Sequence, residues 1–423
     1  MSNCHAIRMQ HWLDDWESRR GQEREIRVRW LLNPDQPPLE NAEIVEQDGF
    51  ITDIRSLSAS AADILPVIVT PTFVNPHTHL EFSTLRQPLT PALPFQDWIK
   101  GVIRWRRSAT AGDDDEIRVG LDESLHGGVT SIGEITTTQP VRWQDIADGC
   151  SMVSFREIIG LQPNRIQELL QLAADHLSQR TESGKSKTLT FGISPHAPYS
   201  VHPDLFTSLI ELSIQRKTVV AMHLAETNDE LQLLHKGTGR FAGFLIELGL
   251  WDAATFPGGR CIREFLEPLA QVPRALAIHG NYFSKDDIQF VAQHSNIATV
   301  YCPRTHAFFQ HTPHPLPQLL AAGARVILGT DSRASNPDLS LWKELQHVAT
   351  HFPEIPIPQL LGMITTHAAD ALGLPAELHQ IHVGDALRCV LLNTEIDTSD
   401  LRRVIVHPST QPTALIVGNR RPE

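Results

Sequence analysis

Apolar positions near the start of the chain alternate with polar ones at a period of two. The segment IRVRWLL, which begins at Ile26, has this alternation and predicts a strand. The segment AEIVEQDGFITDI predicts a hairpin around Asp48-Gly49, a strong two-residue turn signal, and an apolar run over 64–70 predicts another strand. Because no helical segment separates them, these strands predict a small β domain over 26–70. Residues 1–25 would form an extension that is either a short amphipathic helix or disordered.

From residue 71 the pattern changes to short apolar runs, each followed by an amphipathic segment. Such alternation predicts parallel strands joined by crossover helices. Eight runs favour a (β/α)8 TIM-type barrel over an open sheet, and we assign it to 71–375. The runs are PTFVNPHTH, GVTSIGEI, MVSFREIIG, LTFGISPHAPYS, TVVAMHLAET, ALAIHGNYF, IATVYCP and RVILGTDSRASN.

The strand pattern returns in the last segment, 376–423, with DALRCVLL, RRVIVHP and TALIVG. In the simplest topology these strands join those of 26–70. The predicted fold class is therefore α/β, a barrel inserted into a small composite β-sandwich made from both chain ends.

The net charge and the cysteine content limit the classes of binding partner and the cellular compartment that fit this chain. The 423-residue chain carries a formal net charge of −13, so it is a poor candidate for binding nucleic acid or an anionic membrane, although local arginines can still meet a small anionic substrate. Its five cysteines are an odd number without a CxxC pair, which favours a reducing compartment. With no secretory signal and no apolar run of roughly 18 residues, we expect a cytoplasmic protein with no membrane partner.

Metal-ligand residue types stand at the ends of four of the runs. His77 and His79 alternate on one strand, so both imidazoles can face the barrel mouth. A lone HxH pair is weak evidence in a chain with 21 histidines, but several ligand types at separate strand ends predict a metal site. Imidazoles with one carboxylate suit a borderline divalent ion such as zinc. The other residues are His223, His279 and Asp331.

Glu226 follows His223 by three residues. A carboxylate beside a metal-activated water is well placed for general acid/base catalysis. The alternative is a charge near a helix N-terminus, stabilised by the helix dipole.

Together these motifs resemble the amidohydrolase superfamily. The resemblance rests on Pro76-His77-Thr78-His79, His223-x-x-Glu226, His279-Gly280 and Gly329-Thr330-Asp331-Ser332, and it runs from about Ile26 to the end of the chain. The branch it resembles contains cytosine, guanine and adenosylhomocysteine deaminases and triazine chlorohydrolases. The stretch HLEFS, at 79–83, is similar to that of aminodeoxyfutalosine deaminases.

The resemblance implies a separate role for each of these residues around one metal ion. His77, His79, His223 and Asp331 would bind it, and Asp331 would also take a proton from the bound water. His279 would hydrogen-bond that water and the developing oxyanion, while Glu226 would protonate the ring nitrogen and help ammonia leave. Two-metal relatives often carry a carboxylated lysine at the end of the fourth strand, whereas Lys185 and Lys187 lie at its other end, which favours a single ion. Zinc is expected, with Fe2+ or Mn2+ as alternatives.

Four further residues are candidates for contact with the substrate. His196 matches a histidine that touches the base in similar nucleoside deaminases, with a turn-capping histidine as the alternative. Glu81 and Trp98 could line the pocket, although core packing fits Trp98 equally well. Arg304 could pair with a substrate carboxylate or form a structural ion pair. The basic patch at Arg104, Arg106 and Arg107 is interpreted as a solvated helix face.

The predicted function is deamination of an adenosine-like nucleoside by attack of metal-bound hydroxide. The substrate would be of the aminodeoxyfutalosine, methylthioadenosine or adenosylhomocysteine type. The alternative is a guanine or pterin deaminase, or a triazine-type chlorohydrolase, on the same site; a non-catalytic scaffold is the weakest alternative. The partner is thus a small molecule, and a homodimer would be typical of similar enzymes.

Overall fold

The computed structural model describes residues 12, 16, 18–19, 21–58, 61, 63–107, 114–137, 146, 150–179, 182–183, 188–394, 396 and 398–417. Within these ranges we find no helix with the length and apolar character needed to cross a membrane. The extension 1–25 lies mostly outside the described residues, and the boundaries between the four predicted segments stay predictions.

The strands, in chain order, are β1 (Arg24–Leu31), β2 (Leu39–Gln47), β3 (Phe50–Ser56), β4 (Leu65–Pro71), β5 (Phe73–Thr78), β6 (Val129–Thr136), β7 (Ser151–Ile158), β8 (Glu182–Ser183), β9 (Thr188–Pro195), β10 (Val219–Leu224), β11 (Arg274–His279), β12 (Ile297–Tyr301), β13 (Arg325–Leu328), β14 (Arg388–Asn393) and β15 (Gln411–Val417). The α-helices are α1 (Phe95–Arg106), α2 (Asp114–His126), α3 (Ile166–Leu177), α4 (Pro203–Arg216), α5 (Asn228–Lys236), α6 (Arg240–Glu247), α7 (Arg263–Leu269), α8 (Lys285–Gln293), α9 (Pro303–Phe308), α10 (Leu316–Ala321), α11 (Leu341–His351), α12 (Ile357–Gly362), α13 (Thr366–Leu372) and α14 (Leu401–Val406).

Eight parallel strands form the barrel predicted from the apolar runs. They follow the order β5-β6-β7-β9-β10-β11-β12-β13, with the short β8 paired to β9. A parallel bridge between Thr78 and Asp331 joins the ends of the first and last barrel strands. Most positions of these strands are buried, as expected of parallel strands covered on both faces. The prediction of a (β/α)8 barrel is confirmed.

A separate sheet combines strands from both ends of the chain. Its six strands run in the order β15-β14-β4-β1-β2-β3, and the two chain halves meet where β4 pairs antiparallel with β14. The predicted hairpin is β2–β3, in which Asp48 and Gly49 both adopt positive φ angles, 54° and 90°. Two successive left-handed residues are what a tight hairpin turn requires. The composite origin of this sheet is also confirmed.

One predicted strand is a helix in the structure. The run RRVIVHP was expected to be a strand, but its residues lie in α14 and the turn that follows. The Asp400 carboxylate accepts a hydrogen bond from the amide of Arg403 and caps the helix. The Arg402 guanidinium donates to the carbonyl of Ala349 in α11, and Val404 and Ile405 are buried. A short apolar run has no clear periodicity, so these tertiary contacts determine its conformation.

Candidate active site

The end of β5 is shaped so that His77 and His79 point toward the barrel mouth. The Asn75 amide donates to the Thr330 hydroxyl at 2.8 Å, which ties β5 to the end of β13. The β5–β6 register shifts between Asn75 and Thr78. The backbones approach closely there, since a Cβ at Gly133 would lie 2.3 Å from the carbonyl oxygen of Pro76.

The four predicted metal ligands come together. His77 Nε2 lies 3.5 Å from Asp331 Oδ1, and His79 Nε2 lies 3.8 Å from the same oxygen. The ring centroid of His223 is 5.0 Å from that of His77 and 5.5 Å from that of His79. Donor atoms of His77, His79 and Asp331 lie within 4.8 Å of one another, and so do those of His77, His223 and His279.

The donor set fits a divalent cation. Both ring nitrogens of His77 and Nδ1 of His79 are buried without a hydrogen-bond partner among the described residues. Buried polar atoms nearly always have a partner, so these nitrogens call for a ligand. Burial, aided by His77, lowers the pKa of His79 to about 3, and burial also lowers the pKa of His223 well below its ordinary value. Neutral imidazoles keep the lone pairs that metal coordination needs.

Asp331 is held from several sides. Its Oδ2 accepts a hydrogen bond of 2.9 Å from the hydroxyl of Ser335, which in turn contacts the Thr305 hydroxyl at 3.0 Å. Its backbone amide donates to the carbonyl of His77, and its φ is 58°. Burial opposes ionisation of Asp331, but the contact with His77 keeps its pKa below the usual range. The carboxylate is therefore anionic and fixed in orientation.

Glu226 stands on a tightly held turn after β10. Both oxygens of Glu230 accept backbone hydrogen bonds at 2.9 Å, one from Ala225 and one from Glu226. Ala225 has a φ of 53°, a left-handed conformation that is costly for a residue with a side chain. Burial, together with the charges of Asp331 and Glu230, raises the pKa of Glu226 well above its ordinary value. The shift favours the protonated carboxyl group, the form that can act as an acid.

His279 faces Glu226 across the site, with 3.5 Å between its Nε2 and Glu226 Oε1. Its carbonyl accepts a hydrogen bond of 3.0 Å from His314 Nε2, and its φ is 73°. Burial lowers the pKa of His279 to about 3, so the ring is neutral. Its ring centroid lies 5.5 Å from that of His223 and 6.0 Å from that of His77, so His279 belongs to the same cluster as the predicted metal ligands.

A cavity of about 400 Å³ opens onto this group. This volume lies within the range of small-molecule sites. Aromatic and aliphatic side chains make up most of its wall, and the Trp98 indole is fixed there by a 3.0 Å hydrogen bond to the carbonyl of Ala334. The aromatic part of the wall consists of Phe82, Phe95, Trp98, Tyr199 and Phe244.

An arginine and two glutamates form a buried network beside the cavity. Arg106 donates to Glu81 Oε1 at 2.7 Å and to Glu157 Oε2 at 3.0 Å. The interpretation of Arg106 as part of a solvated face is therefore wrong, because it points inward while Arg104 and Arg107 are exposed. Glu157 lines the cavity, whereas Glu81 does not. Sequence reasoning missed Glu157, although it stands near the end of the third apolar run, a position that could have marked it.

His196 also lines the cavity, and its Nδ1 lies 2.6 Å from the Ser200 hydroxyl. Donor atoms of Glu157, His196 and His223 again lie within 4.8 Å of one another. Lys185 and Lys187, on which the argument for a single ion depended, lie outside the described residues.

Arg304 does not reach the cavity. Its guanidinium pairs with Glu344 at 2.6 Å and with Asp338 at 2.7 Å, and Glu344 is buried. The proposed contact with a substrate carboxylate is therefore replaced by the structural ion pair, because both carboxylates already occupy the guanidinium.

Comparison with known proteins places this geometry in a family. The sequence model of the protein family described as "Amidohydrolase family" matches residues 68–417 of this chain. A 5-methylthioadenosine/S-adenosylhomocysteine deaminase of Desulforamulus reducens is 26% identical over 397 residues, covering 88% of this chain and 85% of the relative. An aminodeoxyfutalosine deaminase of Deinococcus radiodurans is 29% identical over 322 residues, covering 71% of this chain and 72% of the relative.

The fold matches that of a solved deaminase structure. The crystal structure of Helicobacter pylori aminofutalosine deaminase in complex with methylthio-coformycin covers 94% of this chain and 100% of its own, with a TM-score of 0.76 at 20% identity. Since the family match spans most of the chain and includes every predicted ligand, the expected resemblance is confirmed. The chain belongs to the amidohydrolase family of metal-dependent hydrolases.

Proposed function

We propose that this enzyme removes the exocyclic amine of an adenosine-like nucleoside by hydrolysis, releasing ammonia. The observation that carries the proposal is the convergence of His77, His79, His223 and Asp331 with Glu226 and His279 at one cavity. The substrate class is supported by the names of the relatives, which are deaminases of methylthioadenosine, adenosylhomocysteine and aminodeoxyfutalosine.

His77, His79, His223 and Asp331 would hold one divalent ion, and zinc suits three imidazoles with one carboxylate. Such an ion, when bound, acts as a Lewis acid and brings the pKa of water from 15.7 to about 7. Iron or manganese could replace zinc, and a cytoplasmic location and a homodimer stay predictions.

The aromatic wall suits a planar base. Trp98 and Phe95 stack with centroids 5.4 Å apart, and Phe309 packs against both at 5.0 Å. A rigid wall of this kind binds a flat apolar ring without having to be ordered first. The base would lie against it with its amine-bearing carbon toward Asp331.

Two of the three catalytic residues transfer protons, and the third stabilises the adduct. The Asp331 carboxylate accepts a proton from the attacking water as the new C–O bond forms. Glu226, protonated because of its burial, gives its proton to the ring nitrogen beside the attacked carbon. Neutral His279 hydrogen-bonds the oxygen of the tetrahedral adduct, a preorganised stabilisation. The proton held by Asp331 then passes to the amine, and the C–N bond breaks with its electron pair on nitrogen, so that ammonia leaves. The hydroxyl group of the adduct becomes the carbonyl of the product as its proton returns to Glu226.

The test is a substrate panel with the zinc-reconstituted protein. Ammonia release would be measured for adenosine, 5′-methylthioadenosine, S-adenosylhomocysteine and aminodeoxyfutalosine. Guanine, a pterin and a chlorotriazine, for which halide is measured too, complete the panel. We expect turnover in the adenosine-like group. Ammonia or halide from the other compounds alone would reject the proposed substrate class.

A further inference from the structure

The chain turns sharply out of β11 at His279. This residue has a φ of 73° and the next, Gly280, has a φ of 60°, so two successive residues are left-handed. Glycine adopts this conformation freely, whereas a residue with a side chain keeps it only where its surroundings hold it there. The pairing of β11 with β12 ends one residue earlier, at Ile278 and Val300. The neighbouring strand β12 therefore does not hold the backbone of His279 in this conformation.

A buried histidine from the segment between α9 and α10 contacts this turn. Nε2 of His314 lies 3.0 Å from the carbonyl oxygen of His279, and because a carbonyl can only accept, Nε2 is the donor. Burial lowers the pKa of His314 to about 3, so the ring is neutral and its one proton is on Nε2. The ring also stacks on Tyr301, with centroids 3.8 Å apart. His314 thus gives its only N–H group to His279.

The carbonyl and the side chain of His279 move together. The preceding part of the residue is fixed in the sheet, where His279 pairs with Leu224 of β10. A rotation about φ of His279 swings both its carbonyl and its Cβ, so a hydrogen bond that holds the carbonyl also sets the direction of the ring. In this direction His279 Nε2 lies 3.5 Å from Glu226 Oε1.

We infer that His314 is a positioning residue, which holds His279 in its left-handed conformation and so directs the His279 ring toward the reacting atoms. The inference rests on the proposed function, in which His279 hydrogen-bonds the oxygen of the tetrahedral adduct. A donor of this kind acts in the transition state and not in substrate binding, and its effect depends on its position. Loss of the His314 contact should therefore lower kcat and leave KM nearly unchanged.

The variant His314→Phe removes the donor and keeps a flat ring against Tyr301. We expect kcat for 5′-methylthioadenosine to fall by about 10- to 100-fold, with KM within about threefold, because a small displacement of a catalytic group is costly. His314→Gln, whose amide can offer a donor near the position of Nε2, should bring kcat back to within about fivefold of the wild type. An unchanged kcat in His314→Phe, or equal losses in the two variants, would overturn the inference.

The matched control is His306→Phe. His306 Nε2 lies 2.9 Å from the carbonyl oxygen of Thr312, so this buried ring makes the same kind of bond in the same part of the chain without contacting His279. We expect its kcat to stay within about threefold of the wild type, because no catalytic group changes position. An equal fall of kcat in His306→Phe and His314→Phe would mean that general loosening of this part of the chain is the cause, and would overturn the inference.

A crystal structure of His314→Phe gives a readout that needs no substrate. We expect the φ of His279 to leave the left-handed region, or its Nε2 to move by ~1 Å or more relative to Glu226. An unchanged φ and ring position would refute the positioning role. Should His314→Phe fail to fold, His314→Asn takes its place, since its amide is one carbon too short to reach the carbonyl, and a kcat equal to that of His314→Gln would be the refuting result.

Two measurements separate this inference from the proposed function. Zinc content should be the same in His314→Phe and the wild type, because His314 bonds to none of the four predicted ligands, and loss of the ion would mean that the substitution acts through the metal site and would overturn the inference. No turnover of any adenosine-like compound by the wild type would reject the proposed function, while the structure of the variant would still decide whether His314 positions His279.

Discussion

Replacing Glu226 by Gln removes a transferable proton with almost no change of shape. Burial raises the pKa of the Glu226 carboxyl group and so favours its protonated form, whose charge the neutral amide matches. The backbone of this residue is fixed independently of its side chain, by Glu230 at its amide and by Asn281 at its carbonyl. We therefore expect a change in unfolding free energy within about 1 kcal/mol, as for substitutions that leave packing and partners in place.

The loss of activity should be large. The amide can still donate a hydrogen bond to the ring nitrogen, but it cannot deliver a proton. General acid/base catalysis contributes roughly 10²- to 10⁴-fold, which corresponds to about 3–5 kcal/mol of transition-state stabilisation. We expect kcat to fall within this range, with KM nearly unchanged because the amide occupies the same space.

The assay combines steady-state ammonia release with metal analysis of the same samples. Asp229→Asn is the control: it is the same change of carboxylate to amide three residues further on, at a side chain that accepts a hydrogen bond from Gln96 and does not line the cavity. The control should keep activity within about threefold, since surface-type changes of this kind have small effects. A Glu226→Gln enzyme with full activity, or one that had lost its zinc, would refute the assigned proton transfer.

Three further perturbations have defined outcomes. Removal of the ion with a chelator should abolish ammonia release and lower the unfolding free energy, by ~3 kcal/mol relative to protein with zinc at a hundredfold excess over Kd, and zinc should restore both; an unchanged melting curve would argue against a folded-state metal site. Trp98→Ala should raise KM for the nucleoside by about tenfold with little change in kcat, because the wall binds ground and transition states alike, and an unchanged KM would place the base elsewhere. Burial raises the pKa of Glu230 to about 7 from an ordinary 4.5, so its contribution to stability is complete below pH 4.5 and is lost as the pH rises through 7. Denaturant titrations should therefore give a wild-type minus Glu230→Gln difference that falls by up to ~3 kcal/mol between pH 4.5 and 8, and a flat difference would contradict this.

The sequence predicted those parts of the site that strand geometry alone determines. Parallel barrel strands bring their carboxyl ends to one face, so His77, His79, His223 and Asp331 had to be neighbours once the eight runs were assigned. The start of α8 was also predictable, since Ser284 and Asp287 form a capping box within four residues. Such features depend on periodicity or on local spacing and need no tertiary information.

Other parts depend on contacts between distant segments. Successive residues of a helix point about 100° apart, so the run RWRR could place only some of its arginines outward, and the sequence gives no sign that Arg106 would meet Glu81 and Glu157. Arg304 fits either a substrate or an ion pair until Glu344 is known to lie 2.6 Å away. The apolar run of α14 became a helix because α11 offers it a packing surface and a carbonyl for Arg402.

The contact between Thr78 and Asp331 has a consequence for how the ion is acquired. His77 and Asp331 lie at opposite ends of the barrel sequence, with more than half of the chain between them. A ribosome must therefore complete the eighth strand before the full set of donors exists, so zinc would enter after nearly all of the barrel has been synthesised. An ion bound by both segments also closes a very long loop of the chain. The affinity of the protein for the ion would therefore depend on whether the first and last strands of the barrel have paired.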